Sequence, residues 1–524
     1  MSRSRWAVAA ALAVALAAGG CSSGGSSSDA ASDTPVSGGT LTWAVQAQPG
    51  AGGLDPMVSA NSAALGVLEQ IYETLLVKDD EGAIKPGLAE SYEQVDPVTY
   101  RFTLRDGVEF SDGSPLTPDD VVFTFQTYLT GTSAAKAFLA NLQTVEAVDD
   151  RTVQFTFSQP NGTFLNAVAN RSSFFIVNKA WYSAKSSDQR QREAMGTGPF
   201  VLGTWTDNVE LTLEKNPGYW EAPKPYLDEI VFKIVPDETS RLSLVQQGSV
   251  QAAWFSDALV AEQAKDAGFT EGDLSYTGKL SVFINPASGP LSDKRVRRAL
   301  SLSLDREQLI ELGLNGYGQT SLFTVVGDPS SPKPDEDTPY YARDVKKAKA
   351  LLAEAGMSDV TISLSYPSDL SQQNIPVYEV MKQQAADAGI TLNLVATPWA
   401  EISKTYTYGD PFTDMVSFGN IFNADYTGYF NQYLSDTGLM NHWKATPDAD
   451  KARDLLKQLT VETDQDKRHE LAVQLNDEVA ENVLNIVPLA TPQVVEVWDA
   501  NQLHGYSSDP YSFRYRLKDA WLSE

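Results

Sequence analysis

The chain has 524 residues, with 40 basic side chains against 68 acidic ones, a formal net charge of −28 and a hydrophobic fraction of 42%. That sign argues against nucleic-acid binding, which gains from counterion release at a phosphate backbone and wants a basic face. The acidic excess suits an exposed protein kept in solution, the length allows about three domains with sizeable cores, and a single cysteine, Cys21, excludes a disulfide framework.

Met1-Ser-Arg-Ser-Arg-Trp6 leads into twelve apolar residues, Ala7 to Ala18, and then Gly19 and Gly20. A basic start, a short apolar run and small residues predict a secretory signal peptide over residues 1–20. The run is shorter than the roughly 20 residues a membrane-spanning helix needs. Cys21 follows directly, and Leu16-Ala-Ala-Gly-Gly-Cys21 resembles the lipobox of bacterial lipoproteins, in which the thiol carries the lipid, palmitate among its acyl groups, and becomes the new N-terminus. The resemblance implies a cell-membrane anchor on the extracytoplasmic face, through lipid alone. A secreted protein with Cys21 merely beside the cleavage site is the alternative. Residues 21–39 are rich in serine and glycine and read as a flexible tether.

Further along, Tyr100, Phe102 and Leu104 alternate with Arg101, Thr103 and Arg105, the period of a half-buried strand, and Asp106-Gly107 and Asp112-Gly113 supply turns. Thr117-Pro118-Asp119-Asp120 offers an N-cap, a first-turn proline and a capping carboxylate, with Val121, Phe125, Tyr128 and Leu129 following at helical spacing. A strand over Thr152 to Phe157 puts Val153, Phe155 and Phe157 on one face. Gly196 to Val235 is strand-rich, with Leu211 and Leu213, then Ile230, Phe232 and Ile234, alternating with polar residues.

From Asp293 the grammar changes to helices feeding strands. Asp344 caps a helix whose Val345, Ala348, Leu351, Leu352 and Ala355 share a face; Gly356 ends it, and Val360, Ile362 and Leu364 alternate as a strand. The unit repeats with Val377, Val380, Met381, Ala385 and Ala388, then Gly389, then Ile390, Leu392 and Leu394. Strands separated by helices of this length predict an α/β lobe with parallel pairing, and more helices are expected between Asp450 and Leu484.

No catalytic or metal-binding constellation stands out. His442, His469 and His504 lie in separate contexts, so no metal or other cofactor is expected. Ser133-Ala-Ala-Lys136 has the spacing of a lysine-activated serine but lacks a Lys-Thr-Gly partner. Gly196-Thr-Gly198 lacks the third glycine of a dinucleotide loop, and Gly278-Lys279 has Asp273 where a phosphate loop begins with glycine.

A run of motifs carries more. Gly38-Gly-Thr-Leu-Thr-Trp43 with Leu54-Asp-Pro56, Leu88-Ala-Glu-Ser-Tyr92, Tyr100-Arg-Phe-Thr-Leu-Arg-Asp-Gly107, Phe110-Ser-Asp-Gly-Ser-Pro-Leu-Thr-Pro-Asp-Asp-Val121, Gly196-Thr-Gly-Pro-Phe200 with Asn216-Pro-Gly-Tyr-Trp220, and Asp293-Lys-Arg-Val-Arg-Arg-Ala-Leu300 with Asp305-Arg306 stand in one order. Together they resemble the family 5 extracellular solute-binding proteins of ABC importers, the oligopeptide- and dipeptide-binding lipoprotein type. The resemblance implies an α/β fold, a two-lobed clamp of the type II periplasmic-binding-protein kind with an additional inserted domain. It implies a discontinuous lobe I at 40–64, 191–285 and 499–524, an inserted domain at 65–190 and an α/β lobe II at 286–498. It further implies no catalysis by the chain itself, a monomer that closes on its ligand, and ABC permease subunits in the membrane as partners.

Phe422-Asn423-Ala-Asp425-Tyr426 is similar to the segment in which oligopeptide-binding relatives hold the ligand's α-ammonium on an aspartate, which falls here on Asp425. A surface carboxylate or helix cap is the other reading of that residue. Phe422, Tyr426, Tyr429, Phe430 and Tyr433 make an aromatic stretch suited to a cleft or a core. Trp399 and Tyr366 fall at the ends of predicted strands, where loops of an α/β lobe face a crevice. Peptide is the expected ligand, an oligosaccharide or another solute the alternative, and a surface hydrolase the third reading.

Overall fold

The computed structural model describes residues 34–50, 52–59, 61–79, 82–131, 133–139, 141–170, 173–272, 275–276, 279–320, 331–332, 342–369, 372–408, 414–420, 426–435, 447–507 and 516–523. Val36–Glu524 form one compact unit. The signal sequence and Cys21 lie outside the described residues.

In chain order, the strands used below are β1 (Thr40–Val45), β2 (Ala89–Asp96), β3 (Thr99–Leu104), β4 (Leu142–Ala147), β5 (Thr152–Phe157), β6 (Phe200–Thr206), β7 (Glu210–Lys215) and β8 (Glu229–Ile234). They continue with β9 (Ala252–Phe255), β10 (Lys279–Ile284), β11 (Val360–Pro367), β12 (Ile390–Thr397), β13 (Met415–Asn420) and β14 (Ile486–Trp498). The helices are α1 (Ser62–Ile71), α2 (Pro118–Thr130), α3 (Val345–Glu354), α4 (Ile375–Asp387), α5 (Trp399–Tyr408), α6 (Tyr426–Leu434), α7 (Asp450–Val461) and α8 (Gln465–Glu478).

Residues 89–157 make a four-stranded antiparallel sheet in the order β2-β3-β5-β4, and α2 packs on it. The start of α2 follows the predicted cap: the Asp120 carboxylate accepts from the Thr117 amide at 2.9 Å and from its hydroxyl at 2.7 Å. Val121, Phe125 and Tyr128 are buried, whereas Leu129 is 36% exposed. Eight helical residues after Val121, a side chain has rotated about 80° off the starting stripe, which puts Leu129 at its rim. Phe164 is the centre of this core, with ring centroids 5.2 Å from Tyr100, 5.1 Å from Phe155 and 4.9 Å from Phe157.

This unit and the sheet around β1 share one apolar core, running from Leu41 and Trp43 through Phe102, Phe155 and Phe164 to Leu503 and Ala520. Two carboxylates, one buried and one half-buried, stitch it. Asp55 accepts from the Tyr182 hydroxyl at 2.9 Å, Arg190 Nε at 2.9 Å and the Met57 amide at 3.1 Å. Glu73 accepts from Thr197 Oγ1 at 2.9 Å, the Tyr219 hydroxyl at 3.0 Å and Trp220 Nε1 at 2.9 Å.

The large sheet runs β12-β11-β13-β10-β14-β9-β1-β8-β7-β6. The two helix-then-strand units read from the sequence pair in parallel, Val360 with Ile390 through to Pro367 with Thr397. The Asp344 carboxylate caps α3 at the Lys347 amide, 2.8 Å away, and Gly356 and Gly389 end their helices at φ of 73° and 89°, where a side chain would be strained. The sheet is covered on both faces here. Leu280, Val282 and Ile284 face a core with Ala348, Leu352, Val377 and Met381, while Phe283 faces a second core with Val416, Phe418, α6, α7 and α8.

Candidate functional site

Strand direction and register define a crevice. β14 is antiparallel to β10 over Ile486 to Ala490 and antiparallel to β9 over Val495 to Trp498, so one strand serves both halves of the sheet. β11, β12 and β13 run in the sense of β14, because β13 is antiparallel to β10 and parallel to β11. Their carboxyl ends, Pro367, Thr397 and Asn420, therefore point toward the middle of β14, where Lys279 pairs with Asn420. β1, β8 and β9 run the opposite way, and their carboxyl ends, Val45, Ile234 and Phe255, point toward the same middle from the other side. The segment between, from Ala490 to Val495, spans roughly 16 Å of strand. It is flanked by Ser275–Tyr276, paired with Val494 and Gln493, and by Gly318–Gln319, paired with Pro492 and Thr491. Ligands of α/β sheets bind at carboxyl edges of parallel strands, and here two such edges face each other across the middle of β14 and the two short strands paired with it.

On the β1 side a pocket opens, lined by Gln46, Ala47, Gln48 and Pro49 after β1, by Ser62 and Ala63 at the start of α1, and by Phe232, Ile234 and Trp254. The Gln48 side chain is fixed by accepting from the Asn208 amide at 2.7 Å. The walls carry amides, a hydroxyl and apolar surface, with no carboxylate or cation among the lining residues.

On the other side stands Lys279, 2% exposed at the first position of β10, with Nζ 5.0 Å from the centre of the Tyr429 ring. Burial holds its amine well below the usual lysine range. In the sequence, Lys279 opens the largely apolar run Leu-Ser-Val-Phe-Ile284.

The predicted site residues divide. Phe422, Asn423 and Asp425 lie outside the described residues. Tyr426 is fully buried with its hydroxyl donating to the Ala472 carbonyl at 3.1 Å, and Tyr429, Phe430 and Tyr433 are buried in the same core. Trp399 starts α5 with its amide on Asp369 at 2.8 Å and its ring edge-on to Phe418 at 5.6 Å. Tyr366, half-buried at the end of β11, packs against Tyr378 at 5.2 Å. Trp399 and Tyr366 thus stand at the carboxyl edge of lobe II, while Tyr426 serves packing. Gln46 and Gln48, just after β1, and Trp254, within β9, are absent from the sequence reading, which took strand ends only in the later half of the chain.

Elsewhere, Lys136 Nζ donates to the Gly131 carbonyl at 3.3 Å, a loop contact, and Ser133 Oγ accepts from the Ala135 amide. Among the described residues no cluster of metal-ligating side chains is present, and no helix is long and apolar enough to cross a membrane.

Known proteins share this architecture. The chain is similar to the oligopeptide-binding protein AppA of Bacillus subtilis, 26% identical over 504 residues and covering 89% of each chain. It is also similar to the glutathione-binding protein GsiB of Shigella dysenteriae, 27% identical over 349 residues, 66% of this chain and 67% of that one. The solved structure of the binding protein AgaA of A. tumefaciens R10 with agropinic acid superposes with a TM-score of 0.76 at 26% identity, over 93% of this chain and 99% of that one. The fold is accordingly that of the type II periplasmic binding proteins with an inserted domain. Residues 83–441 match the model of the bacterial extracellular solute-binding proteins, family 5, middle region, and the chain belongs to that family of ABC-importer solute-binding proteins.

Proposed function

We propose that the chain captures peptides in the crevice between the two facing carboxyl edges, closes on them by hinge motion and delivers them to an ABC permease. The observation that carries this is the register of β14, which pairs with β10 over 486–490 and with β9 over 495–498, so that the parallel strands of both halves end toward the segment between. The hinge is the same place, since β14 and the stretch from Thr270 to Ile284 join the two halves of the sheet. Closure is a population shift, driven only by contacts a ligand makes better in the closed state. The domain boundaries expected from the sequence supply the moving parts: 65–190 rides with lobe I, whose core it shares, and 286–498 supplies lobe II.

Asp425 receives the peptide's α-ammonium, a short charge-assisted hydrogen bond that fixes which end enters first. Trp399 and Tyr366 line the lobe II edge with Phe422 and Asn423, and the pocket beside Gln46 and Trp254 takes an uncharged side chain. Cys21 carries the lipid that holds the monomer at the membrane. The relatives named for oligopeptide and glutathione binding support a peptide ligand.

Native mass spectrometry of residues 22–524, purified gently from the host, tests this. The expected result is a heterogeneous set of peptide masses that is lost in Asp425→Asn, matching the thirtyfold or larger weakening, about 2 kcal/mol or more, typical of breaking a buried charge pair. A single non-peptide mass unchanged by Asp425→Asn would assign the crevice to another solute. The uncharged lining of the pocket and the relative solved with agropinic acid favour that second reading over a hydrolase.

A further inference from the structure

A loop of the inserted domain reaches the far lobe. Asn161-Gly162-Thr163 follows β5 and is held from within: Asn161 Nδ2 donates to the Phe138 carbonyl at 2.9 Å, its Oδ1 accepts from the Thr163 hydroxyl at 2.8 Å, and the Tyr100 hydroxyl donates to its carbonyl at 3.3 Å. From this braced loop the Gly162 amide donates to the Thr460 carbonyl, 3.1 Å away, at the end of α7. The approach leaves no room for a side chain. A Cβ on Gly162 would lie 1.7 Å from the Glu462 carbonyl oxygen and 2.3 Å from Arg468 Nη1.

The receiving side is equally fixed. Arg468, fully buried on α8, donates through Nη1 to the carbonyls of Leu459 at 2.8 Å and Glu462 at 3.1 Å, and through Nη2 to Thr427 Oγ1 at 3.0 Å. Thr427 is the second residue of α6. One guanidinium therefore ties the α7–α8 turn, where Gly162 docks, to the first turn of α6.

The two sides belong to different bodies. Phe155, Phe157 and Phe164, around the loop, lie in the core shared with β1, whereas Leu459, Leu475 and α6 lie in a core of lobe II. The continuous sheet joins those bodies through β14 and its neighbours, so rotation about that junction displaces the α7–α8 turn relative to Gly162. A contact with a Cβ-sized tolerance of zero does not survive such a displacement.

We propose that Gly162, docked on Thr460, Glu462 and Arg468, is a latch that holds the clamp closed from outside the crevice, and that Arg468 and Thr427 link it to the buried start of α6. This rests on the clamp reading above. The latch adds to closure without touching ligand, so it sets how long ligand is retained rather than which ligand enters.

Spin labels on Val148→Cys and Leu312→Cys, exposed positions on the two bodies, introduced into the whole chain with Cys21→Ser, give the distribution of interlobe distances by pulsed electron resonance. In the otherwise native chain a short and a long population are expected, and Gly162→Ala should lower the short one at least fivefold without ligand. An unchanged distribution in a folded Gly162→Ala chain overturns the latch. A single distance in the parent chain, unchanged by Gly162→Ala, removes the clamp and the latch together. A second measurement needs no variant at the latch: the Gly162 amide should exchange hydrogen at the rate of lobe opening, faster than the amides of β5. Exchange as slow as that of β5 would contradict the proposal.

Discussion

In the half of the molecule built around β1, the buried groups that join distant segments are mostly carboxylates, with Asp55 and the half-buried Glu73 each accepting from three partners. In lobe II they are mostly guanidiniums: Arg297 donates to the carbonyls of Val483 and Leu291, Arg306 to that of Pro488, and Arg468 to those of Leu459 and Glu462, with Glu478, which accepts from Lys451 at 2.7 Å, the carboxylate among them. Arg241, on the carbonyls of Trp254 and Val235, is the exception in the first half. The packing is alike in both, two cores on opposite faces of the sheet: in the first half Leu41 and Trp43 face one and Ala44, Ala253 and Val497 the other. A guanidinium saturates several main-chain carbonyls at once and keeps its charge at all working pH values, whereas a carboxylate must find donors and can be protonated. The first half thus gathers donors around carboxylates, and lobe II gathers main-chain carbonyls around guanidiniums.

The largest effect that would break this contrast is expected at the aromatic centre of the first half. Phe164→Ala should cost about 3–5 kcal/mol, the usual range for emptying an aromatic core site, and calorimetry should show the loss in the transition of the first half, with lobe II unchanged. A loss spread equally over the whole unfolding profile would mean that the two halves melt as one. In lobe II, Arg468→Met strands two buried carbonyls and should cost about 3 kcal/mol by chemical denaturation, an amount that does not vary between pH 4 and 7.

The smallest effect is the one that acid reveals. Burial pushes Glu221 up, but hydrogen bonds from Lys224 at 2.5 Å and Lys518 at 2.6 Å outweigh it and hold the carboxyl below its ordinary value. Its contribution is present above the ordinary glutamate value and is lost as pH falls through the folded one. Glu73 has the opposite sign: burial outweighs its three neutral donors and raises it, so its contribution is present in acid and is lost as pH rises through the raised value. Glu221→Gln should flatten the acid limb of the stability profile of the first half by under about 1 kcal/mol. A profile that matches the unsubstituted chain at every pH would show that the lysines give the folded state nothing.

Local structure was legible where one stretch of chain decides it. The cap at Thr117, the glycine stops at Gly356 and Gly389 and the parallel pairing of 360–367 with 390–397 all rest on residues close in sequence. The strand that organises the site was not legible. Ile486–Trp498 contains Pro488 and Pro492, and proline argues against a central strand because it cannot donate to the ladder. The structure absorbs Pro488 beside a break in register at Leu280 and Ser281 and pairs Pro492 with Gly318. The tight contact at Gly162 was illegible for another reason, since its surroundings come from segments such as Thr460 and Glu462 that only the fold brings near. The aromatic stretch over Tyr426 to Tyr433 had two readings in the sequence, cleft or core, and burial assigns the described rings to the core.

A crystal structure of the protein purified with its co-captured ligand tests the central claim most directly. The account predicts ligand density lying over residues 491–494, between Gln48 and Trp254 on one side and the ends of β11 and β13 on the other. Density seated in the inserted domain or on an outer face, with the segment 491–494 bare, would contradict it.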